Sequence, residues 1–236
     1  MSVVIPAYNE ERRLGATLDA WVAFLEDQPY AAEVVVSDDG STDGTPSVAL
    51  DVAGRAPLVR LVRLAHNHGK GGAVKAGVLS AKGDVVLVVD ADLNISPDHV
   101  PPMLRLMDGG ADVVVGCRSL REYASEEKSV ARVCAGAAVQ VTRRALAVTS
   151  LRDTQCGFKA YRHELGRHIF EQTRIRSFAY DIEALYLARR LGARIEELPV
   201  SVVFRGDSTY NLRKHLPPFL RDIWRIRANA LRGRYG

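Results

Sequence analysis

Cysteine is scarce in this sequence, and long apolar runs are missing from it. The 236-residue chain has three cysteines, Cys117, Cys134 and Cys156, which lie far apart and form no CxxC pair. This usage excludes a disulfide framework and a structural zinc site, and it is typical of a reducing compartment. No apolar run approaches the length of about 20 residues that a helix needs to cross a bilayer. The amino terminus lacks the pattern of a signal peptide. We therefore expect a soluble, cytoplasmic protein.

Positive charge is concentrated at the carboxyl end. Residues 211–236 contain seven Lys or Arg and one Asp, whereas the whole chain carries a formal charge of +4. The rest of the chain is therefore slightly acidic, which argues against a general nucleic-acid binder. A basic tail on such a body indicates an anionic surface as a partner. Composition is otherwise ordinary, with 47% hydrophobic and 25% charged residues, and it excludes disorder.

Short β-branched runs alternate with helical patterns through the first half of the chain. The predicted strands are 3–5, 33–37, 58–64, 85–89 and 113–115. The predicted helices are about 10–27, 44–54, 71–81 and 97–108. Continuous apolar strands indicate burial on both faces, as in a parallel sheet. The alternation predicts an α/β fold with a mostly parallel, doubly wound, Rossmann-like sheet flanked by helices.

This rhythm changes after residue 118. Helices are predicted at 125–149, 178–191 and about 217–232, and extended segments at 153–161 and 195–204. No linker or repeat divides the chain, so we predict one domain over residues 1–236. We call residues 1–117 the front half, predicted to bind a nucleotide, and residues 118–236 the rear half, predicted to bind an acceptor.

Polar residues follow the front-half strands at the points where these end. The segments are Tyr8 to Glu10, Asp38 to Ser41, His66 to Gly72, Asp90 to Asp92, and Cys117 with Arg118. Ligands of open α/β sheets gather at the carboxyl ends of the strands. The sequence therefore predicts a binding site along this edge.

Asp90 and Asp92 form the sharpest motif of this edge. Two carboxylates at i and i+2 after a buried strand can reach one hard cation, and oxygen ligands suit Mg²⁺ or Mn²⁺. Asn94 is placed to add a carbonyl oxygen or to orient a water. The alternative is a solvated turn whose acids cap a helix, but the preceding strand, residues 85–89, favours a metal site.

Two further segments of this edge suit a nucleotide. Asp38, with Asp39 beside it, ends a strand and can accept hydrogen bonds from a ribose hydroxyl or a base N–H; the alternative is a turn and helix cap. The run HNHGKGG (66–72) offers N–H groups ahead of a helix, and Lys70 supplies a cation for a diphosphate. The run matches neither a Walker A loop nor a Rossmann fingerprint.

Arg118 and Arg132 are candidates for phosphate recognition. A guanidinium fork pairs well with phosphate oxygens, and the alternative for both residues is ordinary surface charge. The six histidines show no metal-ligand spacing, and no GxSxG or HExxH motif is present.

Taken in order, the motifs resemble those of a known family. SVVIPAYNEE (2–11), VVVSDDGSTDGT (34–45), GKGGAVKAG (69–77) and VVDADL (88–93) are similar to the family 2 inverting glycosyltransferases with the GT-A fold. GCRS (116–119), RDTQCGFKAY (152–161), FAYDIEALYLARR (178–190) and the tail (206–228) resemble dolichyl-phosphate β-glucosyltransferases and their polyprenyl-phosphate relatives.

The resemblance implies a metal-dependent transfer of a hexose, with glucose favoured, from a UDP-sugar to a polyprenyl-phosphate acceptor. It implies that the uridine is held by Pro6, Ala7, Tyr8, Glu10 and Asp38. It places Lys70 at the nucleotide or diphosphate, Asp90 and Asp92 at the metal, and Gln155 at the donor sugar or diphosphate. It assigns Arg118 and Arg132 to the acceptor phosphate. Asn94 stands where related mannosyl-transferring enzymes have a glutamine ligand.

Two other functions stay open at this stage. The same donor chemistry on a small soluble hydroxyl acceptor would need a general base, for which Asp181, with Glu183 nearby, is the first candidate and Asp153 the second. A non-catalytic nucleotide-sugar-binding protein would bind UDP without turnover. The last helix carries apolar residues among arginines, so it either contacts the inner face of the membrane peripherally or packs on its own domain.

Overall fold

The computed structural model describes residues 1–118, 151–203 and 212–235. Seven strands are β1 (Ser2–Ala7), β2 (Glu33–Asp38), β3 (Val59–Arg63), β4 (Val85–Val89), β5 (Val113–Arg118), β6 (Phe158–Arg162) and β7 (Ile195–Val200). The helices are α1 (Leu14–Glu26), α2 (Thr45–Arg55), α3 (Lys70–Ser80), α4 (Val100–Asp108), α5 (His163–Gln172), α6 (Tyr180–Arg190) and α7 (Leu212–Leu231). A 3₁₀ turn, Pro97–His99, precedes α4.

All seven strands form one sheet in the order β3-β2-β1-β4-β6-β5-β7. β1 pairs in parallel with β2 and β4, β2 with β3, and β5 with β7. β6 is antiparallel to both of its neighbours, β4 and β5. The prediction of a mostly parallel α/β sheet is confirmed, and one sheet joins strands from both halves of the chain. Strand order reverses beside β1, where doubly wound sheets open a ligand crevice.

The sheet is covered on both faces, as its continuous apolar strands require. One face packs against α1, α2 and α4 through residues such as Leu18, Trp21 and Met103. The other packs against α3, α5, α6 and α7 through residues such as Val78, Phe170, Leu185 and Ile226. Side chains of successive strand residues alternate between these two cores, so β1 supplies Val3 to the first and Val4 to the second.

The front half matches its predicted elements closely, and the rear half does so less well. Every front-half strand lies within one or two residues of the predicted bounds, except that β5 extends three residues further, to Arg118. Ser96 caps the turn before α4 by accepting the Asp98 N–H. In the rear half α5 has no predicted counterpart, and β7 ends at Val200 rather than at 204. The predicted helix at 125–149 lies outside the described residues.

The helix α7 begins at Leu212, earlier than the predicted start near 217. In the part of this helix from residue 218 onward, Phe219, Ile223 and Ile226 are buried in the core that also contains Val78 and Phe170. In the described part of the chain, every helix falls short of the length and apolar character that a bilayer crossing requires.

Candidate active site

The loops after β1 and β2 are tied together by hydrogen bonds. Asn9 adopts a left-handed backbone with φ of 55°, and its N–H donates to Ser41 Oγ at 3.0 Å. Its side-chain oxygen accepts the Thr42 N–H at 3.0 Å, and the Glu10 N–H donates to Thr45 Oγ1 at 2.7 Å. These contacts fix the floor of the crevice between the two loops.

The residues predicted to hold the uridine line this floor in different ways. Pro6 and Ala7 are buried within β1, so they offer backbone atoms only, and the Ala7 carbonyl accepts the Asp39 N–H at 2.9 Å. Tyr8 is 43% exposed and is free to meet a flat ring. Glu10 pairs with Arg13 at 2.7 Å; partial burial raises the pKa of Glu10, and Arg13 opposes that rise.

Asp38 and Asp39 both stay inside the protein. Asp38 is fully buried; its oxygens accept the Ser41 N–H at 3.3 Å and face Arg63 Nε at 3.3 Å. Asp39 accepts the N–H groups of His68 and Gly69 at 2.7 and 2.8 Å. Burial raises the pKa of Asp39 despite these two bonds. Asp39, which was predicted to contact the nucleotide, thus holds the loop at residues 68 and 69 through its carboxylate.

The glycine-rich run before α3 is packed against the rear half. The Gly71 N–H donates to the Arg176 carbonyl at 2.8 Å. A Cβ on Gly69 would lie 2.5 Å from that carbonyl oxygen, and one on Gly71 would lie 2.5 Å from the Ile175 oxygen. Gly69 also needs its positive φ of 82°. The predicted diphosphate cradle is therefore corrected: the N–H groups of residues 68, 69 and 71 serve the protein's own acceptors.

Lys70 and Asp90 meet at the carboxyl end of β4. Lys70 Nζ lies 2.5 Å from Asp90 Oδ1, and their side chains are 22% and 39% exposed. Lys70 Nζ also sits 5.6 Å from the centre of the Phe178 ring. A Cβ on Gly157 would lie 2.0 Å from Asp90 Oδ2, so only glycine lets the segment before β6 approach this carboxylate. The sequence analysis did not single out Gly157.

The ionisation of this cluster reflects its charges. Burial opposes the charge of Asp90, but Lys70 outweighs it and lowers the pKa of Asp90. Burial likewise opposes the charge of Lys70, but Asp90 and Asp181 together raise the pKa of Lys70. Burial, followed by the charge of Asp90, raises the pKa of Asp92. Two carboxylates in mutual repulsion favour a cation between them.

Asn94 donates two hydrogen bonds to the carboxylate of Asp92. Its backbone N–H and its side-chain Nδ2 donate to the two oxygens of Asp92 at 3.2 and 2.6 Å. Leu93, between them, adopts a left-handed backbone with φ of 51°, which turns the chain sharply. In this arrangement the amide of Asn94 orients the carboxylate of Asp92.

The donor set of Asp90 and Asp92 fits a hard divalent cation. Within residues 1–118, 151–203 and 212–235, no group of three or more His, Cys, Asp or Glu is placed to hold a metal ion. Two carboxylates supply two of the six oxygens that Mg²⁺ or Mn²⁺ takes, and such sites complete their shell with substrate phosphates and water. The pair therefore suits a metal that arrives with a diphosphate.

Arg118 is held in a bidentate pair at the end of β5. Its Nε and Nη2 lie 2.5 and 2.9 Å from the two oxygens of Asp153. Asp153 also accepts the Gln155 N–H at 3.1 Å, which fixes the turn that carries the partly buried Gln155. The guanidinium of Arg118 is thus positioned by Asp153. Arg132 lies outside the described residues.

Asp181 is engaged within the protein. Its side chain is 7% exposed and lies 2.8 Å from Lys159 Nζ, itself 3% exposed. Burial raises the pKa of Asp181, and Lys159 opposes that rise. The sequence analysis missed Lys159, although a lysine between Phe158 and Ala160 on an apolar strand signals a buried partner. The structure thus places the predicted base in an internal ion pair instead of at a surface that an acceptor hydroxyl reaches.

The sequence matches a known protein family and several named relatives. The family described as "Glycosyl transferase family 2" matches residues 2–170. Dolichyl-phosphate beta-glucosyltransferase of Drosophila melanogaster is 38% identical over 218 residues, covering 85% of this chain and 66% of the relative. The same-named protein of Dictyostelium discoideum is 33% identical, covering 99% of this chain and 75% of the relative. The chain thus spans about two thirds to three quarters of these relatives.

A solved structure supports the same fold. Glucosyl-3-phosphoglycerate synthase from Mycobacterium tuberculosis, in complex with Mn²⁺, UDP and glucosyl-3-phosphoglycerate, superposes with a TM-score of 0.70. The identity is 23%, and the match covers 100% of this chain and 79% of the other. At that identity the likeness bears on architecture, and it confirms the predicted GT-A arrangement of the sheet and helices.

Proposed function

This chain belongs to glycosyl transferase family 2, and from that membership we propose that it transfers glucose from UDP-glucose to a polyprenyl phosphate with inversion of the anomeric centre. The names of the relatives that match at 38% and 33% identity support glucose as the sugar and a dolichyl-phosphate-type acceptor. The charged side chains at the carboxyl ends of the strands support the same reaction independently of these names.

The observation that carries the proposal is the cluster of Asp90, Asp92 and Lys70 at the carboxyl end of β4. Two carboxylates and one ammonium converge there beside the crevice at β1. This is the charge pattern that a diphosphate with its metal needs. Asp38 and Tyr8, at the ends of the adjacent strands, are our proposed contacts for the uridine.

Asp90 and Asp92 would hold Mg²⁺ or Mn²⁺, and Asn94 would keep Asp92 oriented through its two hydrogen bonds. When bound, the metal neutralises charge that develops on the departing diphosphate. Lys70 adds a fixed positive charge at the same place, and its raised pKa keeps it protonated at neutral pH. Gln155, carried on the turn that Asp153 fixes, is our proposed contact for the donor sugar or diphosphate.

A phosphate acceptor fits the described residues better than a hydroxyl does. A phosphate oxygen is already anionic near neutral pH, so its attack needs positioning more than a strong base. Arg118, held by Asp153, would orient that phosphate together with Arg132. A hydroxyl acceptor would need a base, yet Asp181 is paired internally, and Arg118 helps to lower the pKa of Asp153 against the effect of burial.

Peripheral membrane contact is a further part of the proposal. Leu220, Trp224 and Leu231 are 37%, 76% and 84% exposed on α7, and they recur on one side of the helix, among arginines. An apolar stripe flanked by cations suits an anionic bilayer surface. We propose that this stripe brings the protein to the inner face of the membrane, where a lipid acceptor is found.

A transfer assay with labelled sugar nucleotides tests the function. We expect label from UDP-glucose to enter the organic phase with a polyprenyl phosphate, to be lost with EDTA, and to return with Mg²⁺ or Mn²⁺. UDP-N-acetylglucosamine and GDP-mannose serve as competing donors. Label recovered only in water-soluble products would favour a soluble hydroxyl acceptor. Tight UDP binding without any transfer would favour a non-catalytic binder.

A further inference from the structure

A second basic site lies between α7 and the segment that precedes α6. A cavity of about 390 Å³ opens there. Its lining consists of Arg174, Ile175, Arg225, Ala228, Asn229, Arg232 and Arg234. Four of these residues are arginines and none is acidic. We call this cavity the arginine cleft. Lys70, Asp90 and Asp92 are not among its lining residues, so it is separate from the proposed metal site.

Three of the four arginines of the cleft, Arg174, Arg225 and Arg234, are held in place by the protein. Arg174 donates from Nε and Nη2 to the Arg234 carbonyl at 3.3 and 3.1 Å. Arg234 in turn donates from Nη1 to Asn229 Oδ1 at 3.4 Å, and Arg225 donates to Asp222 Oδ1 at 3.2 Å. Guanidinium groups held by such contacts lose little further freedom when they meet a ligand.

Of the acids near the cleft, Asp222 offsets the charge of one lining arginine, Arg225. Asp222, 4% exposed, accepts from Ser177 as well as from Arg225 and lies 3.7 Å from Arg221. Glu183 is fully buried and accepts the N–H groups of Arg174 and Ile175 and the Tyr235 hydroxyl. Asp222 thus offsets one of the four charges, and the oxygens of Glu183 meet backbone N–H groups and a hydroxyl, so positive charge predominates in the cavity. A bound anion would relieve the repulsion among four arginines.

We propose that the arginine cleft binds a phosphomonoester or diphosphate group. Arginine forks match such groups through paired N–H···O bonds, and the volume is in the range of small-ligand sites. The phosphate belongs either to a soluble metabolite or to a lipid headgroup. At 100° per residue, Arg225 on α7 and Arg232 in the turn that follows it share one side, and Trp224 and Leu231 share the adjacent exposed side. A lipid headgroup in the cleft would therefore leave its acyl chains beside an apolar stripe.

Calorimetry with inorganic pyrophosphate in EDTA and saturating UDP tests the site. We expect binding to the whole chain that weakens at least tenfold in Arg232→Ala and stays unchanged in Arg227→Ala. Both variants remove one exposed arginine, Arg227 from α7 and Arg232 from the turn that follows it, but Arg227 does not line the cleft. Equal weakening in the two variants would mean general charge attraction and would overturn the proposal, as would full affinity in Arg232→Ala.

Two further measurements locate the site and its source. Pyrophosphate binding should persist in Asp92→Asn, and its loss there would assign it to the metal site and overturn the cleft. Vesicles of phosphatidylcholine with or without phosphatidic acid then distinguish the sources. If the ligand is lipid, phosphatidic acid vesicles sediment the wild type and pyrophosphate releases it. If the ligand is soluble, pyrophosphate binds and the vesicles do not compete. Equal melting temperatures of Arg232→Ala and Arg227→Ala exclude misfolding.

Discussion

Two pairs of acids in this chain have the same spacing and opposite surroundings. Asp90 and Asp92 flank Ala91, and Asp181 and Glu183 flank Ile182. The first pair faces a crevice, with the Asp90 side chain 39% exposed. The second pair is enclosed, with Asp181 bound to Lys159 and Glu183 bound to two N–H groups and the Tyr235 hydroxyl. The spacing of two acids therefore does not predict whether they are exposed or buried unless the secondary structure that contains them is known.

The backbone explains this difference. Asp90 follows directly on β4, and Ala91 and Asp92 form a turn that brings the two carboxylates close enough for the charge of Asp90 to raise the pKa of Asp92. Asp181 and Glu183 lie in the first turn of α6, where residues two apart do not face each other. The first pair can share one cation, and the second cannot. Each acid of the second pair accordingly has its own partner inside the protein.

The largest expected effect concerns the exposed pair. Asp92→Asn keeps the shape of the side chain and removes its charge, so we expect kcat to fall by about 10²- to 10³-fold. The melting temperature should not fall, because the removed charge repels Asp90. Steady-state transfer and thermal unfolding measure the two quantities. Asp51→Asn, at an exposed position of α2, is the matched control, and equal activity of the two variants would refute the role of Asp92.

Substitutions at the enclosed pair and its partners should lower the stability of the fold. Lys159→Met strands a buried carboxylate, and we expect the free energy of unfolding to fall by about 3 kcal/mol. Replacing Asp181 by leucine in the same chain should recover part of that loss. Urea denaturation measures both. The exposed Lys82→Met should cost about 0.5 kcal/mol at most, and a similar small cost for Lys159→Met would contradict the buried ion pair.

A smaller loss is expected for Tyr235→Phe. The variant removes the hydroxyl that donates to Glu183 at 2.6 Å, so a fully buried carboxylate loses one of its donors. We expect a cost of about 1 to 2 kcal/mol. Tyr8→Phe removes a hydroxyl from an exposed ring and is the stability control. Equal unfolding midpoints for the two variants would argue against this contact.

The smallest effect is a dependence on pH. Burial opposes the charge of Asp153, but its bonds with Arg118 lower its pKa below 3.8. A lowered pKa stabilises the folded state above pH 3.8, and this stabilisation is lost as pH falls through the folded value. The pair is partly exposed, so we expect less than about 1 kcal/mol. The melting temperature of wild type should exceed that of Asp153→Asn at pH 7, and the gap should narrow as the pH is lowered below 3.8; a widening gap would contradict it.

The front half was predictable because its signals are local. Apolar runs such as residues 85–89 are typical of strands buried on both faces of an α/β sheet, and in the parallel strands of such a sheet the residue after each run lies at the ligand edge. Asp38, Asp90 and Asp92 were therefore placed from spacing alone. The partners of Asp39 were not predictable, because they are N–H groups of a loop that folds back from 29 and 30 residues away.

The rear half depends on contacts that sequence spacing does not contain. β6 inserts antiparallel between β4 and β5, which puts Lys159 beside an acid 22 residues further on. α5 follows β6 without a loop, so no turn signal separates them. The pairing of Arg118 with Asp153 likewise joins two positions 35 residues apart. Such contacts depend on topology, and a pattern read along the chain does not show them.

The close contact of Gly69 and Gly71 with residues 175 and 176 has a consequence for the order of assembly. These contacts join positions more than 100 residues apart, so we expect them to form after contacts between nearer positions. Lys70 lies between the two glycines. The front half can thus build its strands early, but the ammonium beside Asp90 reaches its final position only when the rear half docks. An incompletely made chain would then lack a fixed ammonium at the carboxyl end of β4.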